Sequence, residues 1–175
     1  MKIVFTPAKH WTSRTPFDRN TCLWGGYAVL GSKMKFYFAG DTAYCPITFN
    51  LIGDNFGPFD LAAIPIGAYS PRWFVGCFHC DPEEAVKIHK DIKSKKSFAI
   101  HWATFPLTEE DPLEPSLELA RARNVHNLSH EEFFTMAHGE TLHYDESPGH
   151  DVATNHPHLY KHYLEWLRKT PGLLN

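Results

Sequence analysis

The sequence predicts an α/β domain, because segments with strand character alternate with segments that carry helix signals. Two strand segments, Leu23–Leu30 and Met34–Ala39, flank the turn Gly31-Ser32 and predict a β-hairpin. Farther along, a strand at Leu61–Ile66, a helix, and a strand at Lys96–Trp102 follow each other in the order of a βαβ unit. The chain has 175 residues with 43% hydrophobic content, which is enough to bury a core, so one domain is the simplest organisation.

Two further elements are predicted in the first third of the chain. Lys2–Thr6 has the composition of a strand. Pro46–Phe56 predicts a short helix, because proline is favoured in the first helical turn and Gly57-Pro58 would end it. In the strand Leu61–Ile66, Pro65 lacks a backbone N–H, which suggests an edge position in the sheet or a bend near the strand's end.

The helix inside the βαβ unit has the clearest start signal. Asp81 can cap it, Pro82 occupies the first helical position, and Glu84 has the spacing of a capping box. The apolar face that follows consists of Ala85, Ile88 and Ile92.

The last third of the chain predicts a helix, a short strand, a linker and a terminal helix. These are Leu113–Arg123, Phe133–Met136, Asp145–Asn155 and His158–Arg168, respectively. We therefore expect a folded unit over residues 1–144, with a linker and terminal helix over 145–175.

Charge and cysteine content narrow the functional classes. The formal net charge is −3 and the pI is about 6.4, which argues against a nucleic-acid partner held mainly through phosphates. Four scattered cysteines do not form a disulfide framework, which favours a reducing compartment. The sequence has neither a signal peptide nor a run of about 18 apolar residues. We expect an intracellular protein, cytoplasmic or peripheral on internal membranes, and not secreted.

Three apolar strand segments each end in a residue that can bind a metal. His10 follows the first strand, Asp41 follows Phe36–Gly40, and His101 follows Phe98–Ile100. Two imidazoles and a carboxylate can hold one zinc ion and leave a position open for water, which is typical of a catalytic site. In a two-metal hydrolase, Asp41 is the candidate for the carboxylate shared between the ions. Taken singly, each residue has an ordinary interpretation. Asp41 could be part of a turn after a strand, and His10 and His101 could be core histidines packed beside Trp11 and Trp102.

A fourth histidine is a candidate for proton transfer. His79 lies just before the capped helix and could donate to a phosphate oxygen or protonate a leaving group, although it could equally be a surface histidine. With Asp41 it makes up the predicted catalytic pair. A loop containing Tyr69, Arg72 and Trp73 could bind an anionic head group, or simply pack against the core.

Five stretches of the chain, in order, resemble the metallo-β-lactamase-fold N-acyl phosphatidylethanolamine phospholipase D family. The resemblance extends from Ile3 to Glu140. The stretches are Pro7–Trp11, Phe38–Thr42, Gly57–Tyr69, His79–Ala85 and Ile100–Trp102.

The resemblance implies an αββα sandwich and a zinc phosphodiesterase that converts N-acyl phosphatidylethanolamine to phosphatidic acid and N-acylethanolamine at internal membranes. It implies that His10 is a ligand of a first zinc, Asp41 bridges two ions, and His101 is a ligand of the second. His79 would be the active-site histidine that binds no metal. The implied partners are a phospholipid substrate and a membrane surface.

The chain resembles mainly the C-terminal half of this family, because the H-x-H-x-D-H ligands have no counterpart in it. One zinc ion or none is therefore expected in this chain alone, and the missing half or a second copy of the chain is a candidate partner. Two alternatives stay open: a non-catalytic half domain that needs a partner chain, and another hydrolase of the same fold, such as a phosphorylated-sugar lactonase. A nuclease is disfavoured by the acidic balance.

Overall fold

The fold is described from a computed structural model over residues 1–144, together with two isolated positions, Lys161 and Glu165. Apart from those two positions, the linker and terminal helix predicted over 145–175 lie outside the described residues. None of the helices in the described part of the chain is long and apolar enough to cross a membrane.

A single six-stranded sheet forms the centre of the fold, and its strand order follows the chain order from β1 to β6. The first three strands pair antiparallel and the remaining pairs are parallel. The strands are β1 (Lys2–Pro7), β2 (Gly25–Leu30), β3 (Lys35–Phe38), β4 (Phe59–Pro65), β5 (Ser94–Ile100) and β6 (Phe133–Phe134).

Within residues 1–144, four helices connect the strands: α1 (Pro46–Phe56), α2 (Arg72–Val75), α3 (Pro82–Asp91) and α4 (Glu114–His126). The predicted bounds of α1 are confirmed. The capping box of α3 is also confirmed, since the Asp81 carboxylate accepts the N–H of Glu84 at 2.8 Å and the Glu84 carboxylate accepts the N–H of Asp81 at 3.1 Å.

Besides shifts of one to three residues at the ends of other elements, the structure differs from the sequence predictions in β4, β5 and α2. Strand β4 is interior, between β3 and β5, so the edge position suggested by Pro65 is wrong; the proline is the last residue of the strand. Strand β5 begins and ends two residues earlier than predicted, because His101 has a left-handed backbone (φ 59°) that ends the extended run. The one-turn helix α2 was predicted as loop.

One face of the sheet is covered by helices α1, α3 and α4. Ala28, Tyr37 and Ala62 are cross-strand neighbours on this face and are fully buried. They belong to one apolar cluster with residues from all three helices, including Phe49, Ile52, Val86, Ile88, Leu119 and Ala122. This layer gives the sheet a rigid base from which the loops at the strand ends project.

The opposite face carries a row of side chains that crosses the six strands and is aromatic at every strand except β4. The register places Phe5, Tyr27, Phe38, Ala63, Phe98 and Phe134 side by side. At the β1 end these rings are open to solvent: Phe5 is 46% exposed, Tyr27 45% and Phe38 39%. At the β6 end, Met136, Leu142 and Tyr144 lie against Phe98 and Phe134. We refer to this row as the aromatic face.

Candidate active site

A buried threonine joins three of the four segments that carry the candidate site residues. The hydroxyl of Thr42 accepts the backbone N–H of Lys9 at 3.0 Å, and its carbonyl accepts the N–H of Cys80 at 2.8 Å. The neighbouring Ala43 N–H donates to the Lys9 carbonyl at 2.8 Å. His10, Asp41 and His79 each adjoin one of these bonded residues, so the hydrogen bonds of Thr42 fix the separation of their backbones.

Asp41 and His101 are in direct contact at the ends of β3 and β5. The Asp41 Oδ1 lies 3.5 Å from the His101 Nε2, and both side chains are about three-quarters buried. Gly40, with φ 66°, turns the chain after β3, and the left-handed backbone of His101 turns it after β5. Two ligands of one tetrahedral zinc ion lie about 3.4 Å apart, so this pair has the spacing of two ligands on a common ion.

His79 lies between the other two histidines. Its ring centroid is 5.1 Å from that of His10 and 5.2 Å from that of His101. Burial lowers the pKa of His79 to about 4, with a smaller contribution from His101, so the ring is neutral at pH 7. Its Nδ1 is buried and has no hydrogen-bond partner. The structure thus brings His10, Asp41, His79 and His101 together at one rim of the sheet.

Trp24, which the sequence predictions did not include, supports the His10 side of this cluster. Its indole stacks on the His10 ring with centroids 4.5 Å apart, and its Nε1–H donates to the Asp41 carbonyl at 2.8 Å. His10 also places its Nδ1 2.7 Å from the Trp11 carbonyl, which leaves Nε2 as the free ring nitrogen. A tryptophan directly before β2 carries no pattern that would have identified it as a site residue.

The donor set fits part of a metal site. Imidazole and carboxylate groups are suitable ligands for zinc, and the Asp41–His101 spacing is suitable. Within residues 1–144 and the two isolated positions, however, no group of three or more His, Cys, Asp or Glu side chains is arranged to hold an ion. The metal-ligand roles of His10, Asp41 and His101 therefore stay predictions.

The predicted head-group residues are near the cluster but have other contacts. The Arg72 guanidinium donates to the His79 carbonyl at 2.8 Å and to the Glu84 carboxylate at 2.7 Å. The Tyr69 hydroxyl donates to Glu114 at 2.7 Å, and burial raises the pKa of this phenol. Trp73 is 86% exposed. Their predicted role in substrate binding stays a prediction, and the observed contacts of Arg72 hold the His79 segment against α3.

The chain is similar to curated phospholipases over most of its length. It is 46% identical over 136 residues to the N-acyl-phosphatidylethanolamine-hydrolyzing phospholipase D 1 of Caenorhabditis elegans, covering 77% of this chain and 38% of that one. It is 38% identical over 120 residues to the mitochondrial N-acyl-phosphatidylethanolamine-hydrolyzing phospholipase D of Saccharomyces cerevisiae, covering 67% of this chain and 25% of that one. The chain thus spans only about a quarter to two-fifths of the length of these two relatives.

A solved structure and a family model identify the fold. The metallo hydrolase Igni18 of Ignicoccus hospitalis superposes with a TM-score of 0.57 at 23% identity, over 80% of this chain and 51% of that one. This similarity and the mixed sheet with its helical layer confirm the predicted α/β metallo-β-lactamase-type fold. The model of the beta-lactamase superfamily domain matches residues 1–102, which include His10, Asp41, His79 and His101. The chain therefore belongs to the beta-lactamase superfamily.

Proposed function

We propose that this chain is part of a metal-dependent phosphodiesterase that cleaves N-acyl phosphatidylethanolamine to phosphatidic acid and N-acylethanolamine. The observation that supports this most strongly is the cluster of three histidines and Asp41 at one rim of the sheet. The similarity to the worm and yeast phospholipases supports the substrate class.

The metal proposed for this site is zinc: His10 would be a ligand of a first ion, His101 of a second, and Asp41 would be shared between them. Zinc bound here would supply an activated water and neutralise charge on the phosphate. The remaining ligands would come from outside the described residues.

The chain's own residues position the substrate and move protons. Water attacks phosphorus, and the bond from phosphorus to the ethanolamine oxygen breaks. Neutral His79, whose ring adjoins those of His10 and His101, is placed to donate a hydrogen bond to a phosphate oxygen or to the departing alkoxide. Because the Arg72 guanidinium holds the His79 carbonyl, this ring is positioned before substrate arrives.

The same proposal includes an intracellular location at the surface of a membrane. Trp73 is 86% exposed and Phe74 57%, both on the short helix α2 that precedes His79. Aromatic side chains of this kind favour the interface between lipid and water. Contact at α2 would bring the lipid head group close to the histidine cluster.

The test of the function is hydrolysis by a protein that carries this chain together with the rest of the superfamily domain. Release of N-acylethanolamine from N-acyl phosphatidylethanolamine in mixed micelles is measured by mass spectrometry. Asp41→Asn and His101→Ala should each lower kcat/KM at least about a hundredfold, because several kcal/mol of charge stabilisation depend on the ion. The matched surface variants Asp54→Asn and His130→Ala should keep the parent rate. Near-normal rates in either site variant would remove that residue from the proposed metal site.

A second candidate function is a non-catalytic half domain that pairs with another chain. It is favoured by the exposed aromatic face at the β1 end and by the incomplete set of ligands among the described residues. Elemental analysis separates the two candidates. The protein analysed carries this chain together with the rest of the superfamily domain. About two tightly held zinc ions per molecule, the number expected for a two-metal site, support the enzyme, whereas loss of all zinc on mild chelation supports the half domain.

A further inference from the structure

A cavity of about 270 Å³ adjoins His101. Three segments line it: Gly67 and Ala68 after β4, residues 101–108 after β5, and a third segment, with Glu110 and Pro112 in the loop before α4 and Pro115 in its first turn. A second, larger cavity of about 550 Å³ lies beside His10, and its lining includes Phe5 and Tyr27 of the aromatic face.

Several residues that line the smaller cavity have a left-handed backbone conformation. Ala68 has φ 62°, His101 φ 59° and Ala103 φ 54°, and all three line the cavity. Residues other than glycine adopt this conformation at a cost of roughly 1–3 kcal/mol, and such residues cluster at ligand sites. At Gly67 a Cβ atom would lie 2.1 Å from the His101 carbonyl oxygen, so only glycine permits the two walls to approach this closely.

Glu110 fixes the shape of the cavity from the opposite wall. Its carboxylate accepts the backbone N–H groups of Ala68 at 2.6 Å, Tyr69 at 3.3 Å and Ser70 at 3.0 Å. These bonds connect the loop after β4 to the loop before α4. The three backbone donors satisfy the Glu110 carboxylate and hold this wall of the cavity in place.

The chemistry of the lining selects an uncharged, apolar ligand. No lysine or arginine is among the described residues that line the cavity. The one carboxylate in the lining is that of Glu110, and its negative charge disfavours a phosphate. Apolar surface comes from Trp102, Phe105 and Leu107, together with three prolines. Such a lining favours a hydrocarbon chain.

We propose that this cavity binds the N-acyl chain of the substrate, with the amide end of that chain next to His101. The proposal rests on the function proposed above and names the part of the substrate that the cavity takes. In N-acyl phosphatidylethanolamine, the phosphodiester joins an ethanolamine group that carries one acyl chain to a glycerol group that carries two; we refer to these as the single-chain arm and the two-chain arm. The volume suits a single chain, and the two-chain arm is left for the larger cavity on the His10 side.

The experiment measures binding of N-octanoylethanolamine to the chain without metal, by NMR of alanine methyl groups labelled with ¹³C. The methyl signals of Ala68 and Ala103 should shift saturably, whereas those of Ala85 and Ala122 in the helical layer should not. Inorganic phosphate should leave the Ala68 and Ala103 signals unchanged. Absence of a saturable shift at both cavity alanines, or an equal shift at all four, would overturn the proposal.

Two variants test the cavity without disturbing the core. Phe105→Ala removes a cavity wall that is 73% exposed and should weaken binding about tenfold. Its matched control, Phe17→Ala, removes a ring that is 96% exposed in the loop between β1 and β2 and should bind like the parent. Equal binding by the parent and the Phe105 variant would contradict the assignment.

The binding experiment and the hydrolysis experiment test separate claims. Saturable binding together with no hydrolysis of N-acyl phosphatidylethanolamine would overturn the proposed function and leave a cavity for acyl amides. Hydrolysis without binding at Ala68 and Ala103 would overturn the cavity assignment alone.

Discussion

The Thr42 hydroxyl accepts a 3.0 Å hydrogen bond from the backbone N–H of Lys9, and Thr42 is fully buried. This bond holds the segment of His10 beside that of Asp41. Replacing Thr42 by valine keeps the shape of the side chain and leaves the Lys9 N–H unpaired. We expect Thr42→Val to lower the free energy of unfolding by about 1–3 kcal/mol, measured by urea denaturation, and to separate the His10 and Asp41 segments.

The matched control for this prediction is Thr135→Val. Thr135 is 2% exposed, and its hydroxyl has no hydrogen-bond partner. Valine at this position removes an unpaired buried hydroxyl, so the free energy of unfolding should stay the same or rise. Equal losses in the two variants would show that the Lys9 hydrogen bond does not stabilise the fold.

His89 makes stability depend on pH. It is 3% exposed on α3, its Nδ1 is 2.8 Å from the Ser97 hydroxyl, and burial lowers its pKa from 6.5 to about 4. The unfolded chain binds a proton near pH 6.5, but the folded chain does so only near pH 4. The neutral His89 ring therefore contributes about 3 kcal/mol to the free energy of unfolding above pH 6.5. This contribution declines as the pH falls and is lost below about pH 4.

The measurement for His89 is the free energy of unfolding by urea as a function of pH. The difference between the parent and His89→Gln should change between pH 6.5 and pH 4, with the parent losing stability more steeply as pH falls. His130→Gln, at an exposed position, should follow the parent. A pH profile unchanged by His89→Gln would contradict a neutral buried imidazole.

Removing the cap of α3 should destabilise the fold. Asp81→Ala removes the acceptor of the Glu84 N–H and the 3.5 Å contact with the Arg72 guanidinium, so we expect a loss of about 1 kcal/mol. Asp54→Ala breaks an exposed ion pair with Lys93 and should cost less than about 0.5 kcal/mol. Chemical denaturation compares the two; losses of similar size would rule out a specific role for the cap.

The aromatic face should cause the isolated chain to self-associate. The Phe5 and Tyr27 rings contact each other edge to face at 5.4 Å and are both nearly half exposed. The double variant Phe5→Lys, Tyr27→Lys should sediment as a monomer under conditions in which the parent forms larger species, because charge opposes burial of this face. Phe17→Lys, at a more exposed ring outside the sheet, should sediment like the parent.

Local signals in the sequence predicted the elements well. The capping box at Asp81 and the proline at the start of α1 depend on neighbours within one helical turn, and both are present as expected. The interior position of β4 could not be predicted from Pro65, because a proline at the last residue of a strand is compatible with an edge or an interior place. The order of strands depends on pairing between distant segments, which local patterns do not encode.

The grouping of the candidate site residues was predicted only in part, because several of its contacts join distant segments of the chain. Strand ends pointed to His10, Asp41 and His101, and the structure places their side chains in one cluster with His79. Thr42 and Trp24 escaped prediction, because their importance arises from hydrogen bonds and ring stacking across 14 to 38 residues of chain. The sequence left two interpretations of Arg72, and its contacts with the His79 carbonyl and Glu84 show protein packing, while its role in head-group binding stays a prediction.

Since each strand from β2 to β6 pairs with the strand that precedes it in the sequence, the sheet can grow in the order in which the ribosome releases it. Each newly synthesised strand can pair with a strand that has already been synthesised, so no strand depends on a later segment for its first partner. The pairing of these six strands therefore needs no segment outside residues 1–144, whether the layer that covers the aromatic rings is made before this portion of the domain or after it.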